Sequence, residues 1–193
     1  GWAGGAEKEN HISLRCHQYS MDPAAPPFNL LVSTGRGLEE RCIDTLREIM
    51  GDVDEGFCAH PARFSGLVTA AVTIPSRDAV RHIAEVVERE PWHNLIVKRV
   101  VPVDLVVPTD EARIVDGFRD LLKMRPPHPS ESFRVTLRRR GARLDRDRLI
   151  RTVADLFDNR VDLERPDLEA RIEVLGGETG LSILRRGEIF PEF

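Results

Sequence analysis

Lysine is nearly missing from this 193-residue chain. Lys8, Lys98 and Lys123 are the only ones, and the other 25 basic residues are arginine. Cysteine is as scarce. Cys16, Cys42 and Cys58 form an odd, unclustered set that reads neither as a disulfide framework nor as a zinc site. Cys42 falls in a helical pattern and reads as a small buried hydrophobe. No run approaches the roughly 20 apolar residues that span a bilayer, which argues against a membrane helix. No basic segment followed by an apolar run opens the chain, so no signal peptide is read there and the cytoplasm is the expected compartment. Motifs of chemistry are missing too. There is no Cys-x-x-Cys and no His-x-Glu, the pair a zinc deaminase needs. Gly35-Arg36-Gly37 is the single candidate Gly-rich turn, and a lone Gly-x-Gly is weak.

Apolar residues make up 41% of the chain and charged residues 31%, the balance of an ordinary soluble globular protein. A net charge of −4 argues against general nucleic-acid binding. Its distribution argues otherwise. Residues 134–151 carry eight arginines against Asp145 and Asp147, a local charge of +6, so the remaining residues sum to −10. A basic patch on an acidic protein focuses attraction for an anionic partner on one face. Arginine's planar fork also suits phosphate and stacks on bases.

Three segments emerge along the chain. Residues 1–27 read as a flexible tail, rich in Gly and Pro, with Met21 a candidate start. His11, Cys16 and His17 lie there with too few companions for a metal site. Residues 28–108 read as β-α-β-β-α-β, the ferredoxin-like order. A strand is expected at 28–33 and a helix from Leu38 to Met50, ended by Gly51. Strands follow at 55–60 and 67–74, then a helix capped by Ser76 and closed by Pro91, then an extended stretch 95–107 broken by Pro102. Residues 109–193 begin with a helix capped by Thr109 or Asp110. Next comes a strand with Phe133, Val135 and Leu137 on its buried face. A helix over 146–157, capped by Asp145, has a stripe of Leu149, Ile150, Val153, Ala154 and Phe157. A short strand at 161–163, a turn at 165–167, an alternating strand at 169–174 and a return strand at 181–184 complete the unit, with Gly176, Gly177 and Gly180 bracketing the last hairpin. The expected class is α/β (α+β) in two packed units.

The second unit resembles a THUMP domain. The resemblance rests on Phe133–Arg140, the following helix, the run Val161-Asp162-Leu163-Glu164-Arg165-Pro166-Asp167, then Ile172-Glu173-Val174 and Gly180-Leu181-Ser182-Ile183. A ferredoxin-like unit directly before it fits the same family. The resemblance implies tRNA binding, by the acceptor stem and 3′ CCA end, in tRNA modification. The stretches 28–34 and 99–103 are most similar to an adaptor that assists a tRNA cytidine acetyltransferase in forming N4-acetylcytidine. A sulfur-transfer relative would carry a Ser-Gly-Gly-x-Asp-Ser loop for ATP, and a methyltransferase relative a Gly-rich turn with an Asn/Asp-Pro-Pro-like motif. Neither is present, and the chain stops about ten residues after its last expected strand. The expectation is a cytoplasmic adaptor that is not an enzyme and takes no cofactor or metal, with tRNA and a modification enzyme as partners. Two alternatives stand beside it: the RNA-binding subunit or a fragment of another THUMP enzyme, and a protein-interaction module using the acidic first unit.

An A-form stem is read by shape, 2′-hydroxyls and phosphates rather than through its deep groove. The residues expected to meet it are Arg138, Arg139 and Arg140 at the strand end and Arg143 in the loop. Arg146, Arg148 and Arg151 join them from the next helix, whose N-terminus offers a phosphate site. Arg185 and Arg186 are expected to extend this surface. Cys58 and His60 read as ordinary strand residues in preference to a nucleophile and its base. Asp162 reads as a strand-edge residue and Asp167 as making local backbone bonds in its turn. Trp92 and His93 read as packed in a core or domain junction in preference to a base-stacking surface.

Overall fold

The computed structural model describes residues 27–193. The expectations on the N-terminal tail, Met21, His11, Cys16 and His17 lie outside the described residues. The first unit is built from β1 (Leu30–Ser33), α1 (Glu39–Met50), β2 (Cys58–Pro61), β3 (Leu67–Ala71), α2 (Ser76–Arg89) and β4 (Arg99–Pro102). Its sheet has the order β2-β3-β1-β4, antiparallel throughout, which is the ferredoxin-like arrangement. Leu30, Val32, Val68 and Val100 point to one face, where Cys42, Ile43 and Leu46 of α1 and Val80, Ile83 and Val87 of α2 cover them.

The second unit holds β5 (Leu105–Pro108), α3 (Glu111–Met124), β6 (Phe133–Arg140), α4 (Arg146–Ala154), β7 (Leu168–Leu175) and β8 (Glu178–Arg185). Its sheet has the order β5-β8-β7-β6. Only the β6–β7 pair is parallel. Alternation on β6 buries Phe133 and Leu137 beneath Phe118 and Leu121 of α3 and Leu149 and Val153 of α4. Phe133 stacks on Phe157 with centroids 4.4 Å apart.

Each sheet gives its other face to the neighbouring unit. Leu31, Leu67, Val101 and Val103 meet Leu184 and Ile189 in a third apolar cluster. Ser182 Oγ donates to Pro102 O at 2.6 Å. Arg77 at the start of α2 grips both oxygens of Asp104, at 2.6 and 2.9 Å. Phe190 returns to the first sheet and exchanges backbone bonds with Val100.

Several expectations shift. The break at Pro102 separates two sheets, not two halves of one strand: β4 belongs to the first and β5 pairs with β8 in the second. Residues 105–108 therefore belong to the second unit's sheet. Ser76 is the first helical residue and makes no side-chain cap; Pro75 occupies the cap position and its carbonyl receives the N–H of Ala79. The strand expected to run to Ile74 stops at Ala71, because the Thr73 N–H turns to Asp54 Oδ2 at 2.7 Å. Helix α4 ends at Ala154, and a turn with three-residue bonds follows to Phe157. Val161 to Leu163 is no strand but one isolated bridge from Val161 to Phe133, and Val161 and Leu163 are exposed. Gly180 lies inside β8, not at the hairpin; a Cβ there would stand 3.1 Å from the Val103 side chain, so it marks where the two units approach closely.

Candidate nucleic-acid interface

β6 is an outer strand of its sheet, so the side chains at its end and in the next loop have room. Gly141 turns the chain there with φ +70°, a conformation glycine adopts without strain. Asp145 then caps α4, its carboxylate accepting from Arg148 N at 3.1 Å. That bond uses one of the free donors of the helix N-terminus, so the expected phosphate site there is partly taken by the protein itself.

Seven arginines cluster at this end, and their engagement differs. Arg138, Arg143 and Arg151 are exposed, and their side chains have no hydrogen bond or ion pair among the described residues. Arg139 is exposed with Nη1 on Leu144 O at 2.6 Å. Arg146 reaches back to Leu137 O at 3.0 Å. These contacts with neutral carbonyls leave both charges unneutralised. Arg148 leans to Glu111 at 3.5 Å, beside a cleft of about 440 Å³ between α3 and α4 that also holds Asp110 and Asp116. Arg140 is committed: it is half-buried and gives Nη1 to Glu173 at 2.9 Å.

The structure does not bring Arg185 and Arg186 to this surface. In register, Arg140 pairs with Leu175 and Leu175 with Glu178, whereas Arg185 pairs with Leu168, beside Phe133. Seven residues of strand at about 3.3 Å each put roughly 23 Å between the two ends. Arg185 is also occupied there by a bidentate pair with Glu131, at 2.6 and 3.0 Å. Arg186 donates to Pro166 O at 3.2 Å.

One feature was not anticipated. Glu169, Arg171 and Glu173 of β7 are buried on the face turned toward the first unit. Arg171 bonds Glu169 at 2.6 Å and Glu173 at 2.8 Å, while Arg134 takes the other oxygen of Glu169 at 2.7 Å. Burial pushes the Glu169 carboxyl up, but Arg171 and Arg134 outweigh it and hold the group below its ordinary range. The signal in the sequence was the sign alternation Glu-x-Arg-x-Glu opposite arginines on a neighbouring strand. Arg99 of β4 stands by this ladder. Burial, then the charges of Arg171 and Arg138, hold its guanidinium below the usual value, so the first unit adds a positive charge beside Arg138.

The other candidates resolve as follows. Cys58 Sγ lies 3.3 Å from His60 Nε2, but Cys58 is disulfide-bonded and supplies no thiolate. Burial pushes the free Cys42 thiol up to about 11, which keeps it protonated. The two aspartates exchange roles. Asp162 makes the local turn bonds, to the N–H groups of Glu164 and Arg165. Asp167 instead spans 35 residues to accept from Ser132 N and Oγ, both at 2.8 Å. Trp92 is 61% exposed and packs in no core. Among the described residues no three His, Cys, Asp or Glu side chains are grouped to hold a metal ion, and no helix is long and apolar enough to cross a membrane.

A mixed sheet under two helices is thus preceded by a ferredoxin-like unit and carries a cluster of arginines at one end. Residues 108–184 match the family model of the THUMP domain, so the second unit is a THUMP domain. No curated protein matches the chain. Among solved structures it resembles TrmN from Thermus thermophilus, with TM-score 0.56 and 20% identity, over 80% of this chain and 44% of that one. It resembles PH1313 from Pyrococcus horikoshii Ot3 equally well by score and identity, over 81% and 54%. A predicted N6-adenine-specific DNA methylase from Listeria monocytogenes follows with TM-score 0.53 and 14% identity, over 81% and 40%. At these identities the likeness is one of fold. The chain spans roughly half or less of each neighbour's length.

Proposed function

We propose that this chain is a non-catalytic tRNA-binding protein that presents tRNA, held by its acceptor stem and 3′ CCA end, to a modification enzyme. The observation that carries this reading is the set of exposed, unneutralised arginines on the THUMP domain: Arg138, Arg139, Arg143, Arg146 and Arg151. Exposed guanidiniums at a strand end, in the loop after it and on the next helix suit a phosphate backbone, whose affinity falls with salt as counterions are released. N4-acetylcytidine is the modification served in this reading, with a tRNA cytidine acetyltransferase as partner. That assignment follows the similarity of residues 28–34 and 99–103 to the adaptor family.

The test is binding to whole tRNA and to the same tRNA lacking its CCA end, across a salt series. Binding that weakens with salt and with CCA removal is expected. Folded protein that binds neither RNA sinks the reading.

A second reading is favoured by one observation. The chain covers only 40% to 54% of its solved neighbours, one of them a predicted methylase. It would then be the RNA-binding portion of a THUMP enzyme whose catalytic part lies elsewhere. Nucleoside mass spectrometry of tRNA from cells lacking the gene separates the two: loss of N4-acetylcytidine supports the adaptor, and loss of a methylated base supports the second reading.

A further inference from the structure

The helical face of the first unit carries a surface of the opposite character. Between α1 and α2 lies a cleft of about 330 Å³ lined by Glu48, Asp52 and Glu90, with His82 and His93, and by no lysine or arginine. At its rim the chain leaves α2 through a 3-10 turn, Pro91–Leu95, that buries none of its residues. Trp92 and Leu95 of that turn are 61% and 67% exposed, and Val53 on the cleft wall is 41% exposed. The turn is not loose. His93 N donates to Glu90 O, and His93 O receives both Ile96 N and Val97 N as the chain re-enters the core. The Trp92 ring lies 5.7 Å from that of His93, which is fixed on Glu90 at 2.9 Å. A tryptophan and a leucine are therefore held out of the core by a well-bonded turn, beside three carboxylates. Singly exposed apolar residues are ordinary, but an apolar group with tryptophan at the edge of a charged cleft has the make-up of an interaction surface.

We propose that the α1–α2 cleft, with Trp92 and Leu95 at its rim, is the docking site for a basic segment of a partner protein, one that pairs Lys or Arg with an apolar anchor. Charge complementarity selects this occupant: cationic heads pair with Glu48, Asp52 and Glu90, and their aliphatic stems and the anchor cover Trp92 and Leu95. Three carboxylates with no lysine or arginine in the lining repel phosphate, so RNA does not suit the cleft. Residues 1–26 of this chain do not suit it either, carrying Glu7, Glu9 and Asp22 against Lys8 and Arg15. The site lies on the face of the first sheet away from the second unit, so a partner here leaves the arginine surface uncovered. The proposal does not depend on the tRNA reading.

The experiment uses the full chain, isotopically labelled, titrated with a synthetic amphipathic peptide of lysine and leucine and with a glutamate–leucine peptide of the same pattern. Backbone amide shifts are followed. The expected result is saturable, salt-sensitive binding of the basic peptide alone, with shifts centred on residues 48–53 and 90–95. Affinity falls about tenfold or more in Trp92→Ala and in the combined Glu48→Gln, Asp52→Asn, Glu90→Gln variant, and is unchanged in Arg138→Ala. The amide spectra of the variants report that they remain folded. No saturable binding, or binding centred elsewhere, overturns the proposal. So do tRNA-induced shifts at this cleft, and self-association of the chain that Trp92→Ala abolishes. tRNA affinity, measured on the same variants, tests the RNA reading separately: it is expected to be unchanged in the two cleft variants and lowered in Arg138→Ala.

Discussion

The arginines of β6 divide into two groups, and the division follows stoichiometry, not position in the sequence. Glu169 and Glu173 offer four carboxylate oxygens. Arg171 takes one from each, Arg134 takes the second of Glu169 and Arg140 the second of Glu173. Arg138 is the Cα neighbour of Glu173 in the ladder, yet both oxygens of that carboxylate are already engaged by Arg171 and Arg140. It stays exposed, with Arg99 beside it. A net charge of +6 over residues 134–151 thus mixes charges consumed in holding the sheet with charges left for a ligand. The first group should govern stability and the second affinity.

The largest effect should come from breaking the consumed group. Arg171→Leu leaves two buried carboxylates facing each other without their shared cation, which costs about 3–5 kcal/mol. The urea midpoint should fall accordingly. Protein that remains folded should keep its tRNA affinity; a loss of affinity without a loss of stability would erase the distinction between the groups. The same ladder gives stability a pH dependence. The folded pKa of Glu169 lies below its ordinary 4.5, so its contribution is present above that value and is lost as pH falls through the lowered folded pKa. Glu169→Gln should flatten this acid limb in urea midpoints measured below pH 4.5.

The complementary variant is Arg138→Ala, Arg139→Ala and Arg143→Ala combined. Its urea midpoint should move by little, since exposed substitutions cost within about 0.5 kcal/mol each. Its tRNA affinity should fall, and the slope of log affinity against log salt should shrink by roughly two to three units, about one for each phosphate contact removed. Arg140 belongs in a different experiment, because removing it also strips the buried Glu173 carboxylate of one of its two arginine partners.

How much of this was legible follows from what each segment buries. Alternation of Phe133, Val135 and Leu137 identified β6, and the pair Thr109 or Asp110, of which Asp110 is the cap, and Asp145 marked two helix starts, because these signals are local. The THUMP run was legible as a pattern. The burial of the charged face of β7 was not: the alternation identifies a strand, but it does not show that the first unit covers Glu169, Arg171 and Glu173. The division of residues 99–108 between two sheets was equally hidden, since valine-rich stretches on either side of Pro102 look alike. Arg185 and Arg186 looked like an extension of the basic patch because the sequence does not reveal that β8 runs antiparallel and ends at the far edge. Trp92 was misjudged on composition: a tryptophan usually packs, and only the geometry of the Pro91–Leu95 turn holds it out.

A smaller effect is expected at the turn that aims the free arginines. Phe64, from the β2–β3 loop of the first unit, sits against Gly141 and Gly176. A Cβ on Gly141 would fall 2.5 Å from Phe64 Cζ, and its φ of +70° disfavours any side chain. Gly141→Ala should cost about 1–2 kcal/mol in urea unfolding. It should also weaken tRNA binding less than the triple variant does, by displacing Arg139 and Arg143 without removing them.

The smallest effect should be at the far end of the sheet, and it discriminates most between a focused surface and diffuse positive charge. Arg185 is half-exposed and its partner Glu131 is held below the ordinary carboxylate range, first by the hydrogen bond from Arg185. Arg185→Ala should cost up to about 1 kcal/mol of stability, the usual range for partly exposed pairs. If tRNA is held by the β6–α4 end alone, Arg185→Ala and Arg186→Ala together should leave its affinity within about twofold, the size of an ordinary surface substitution. The salt slope should also be unchanged. A tenfold loss would mean that the RNA crosses the full length of the sheet, and the geometry separating these two residues from Arg138 would then mark the span of the footprint instead of its limit.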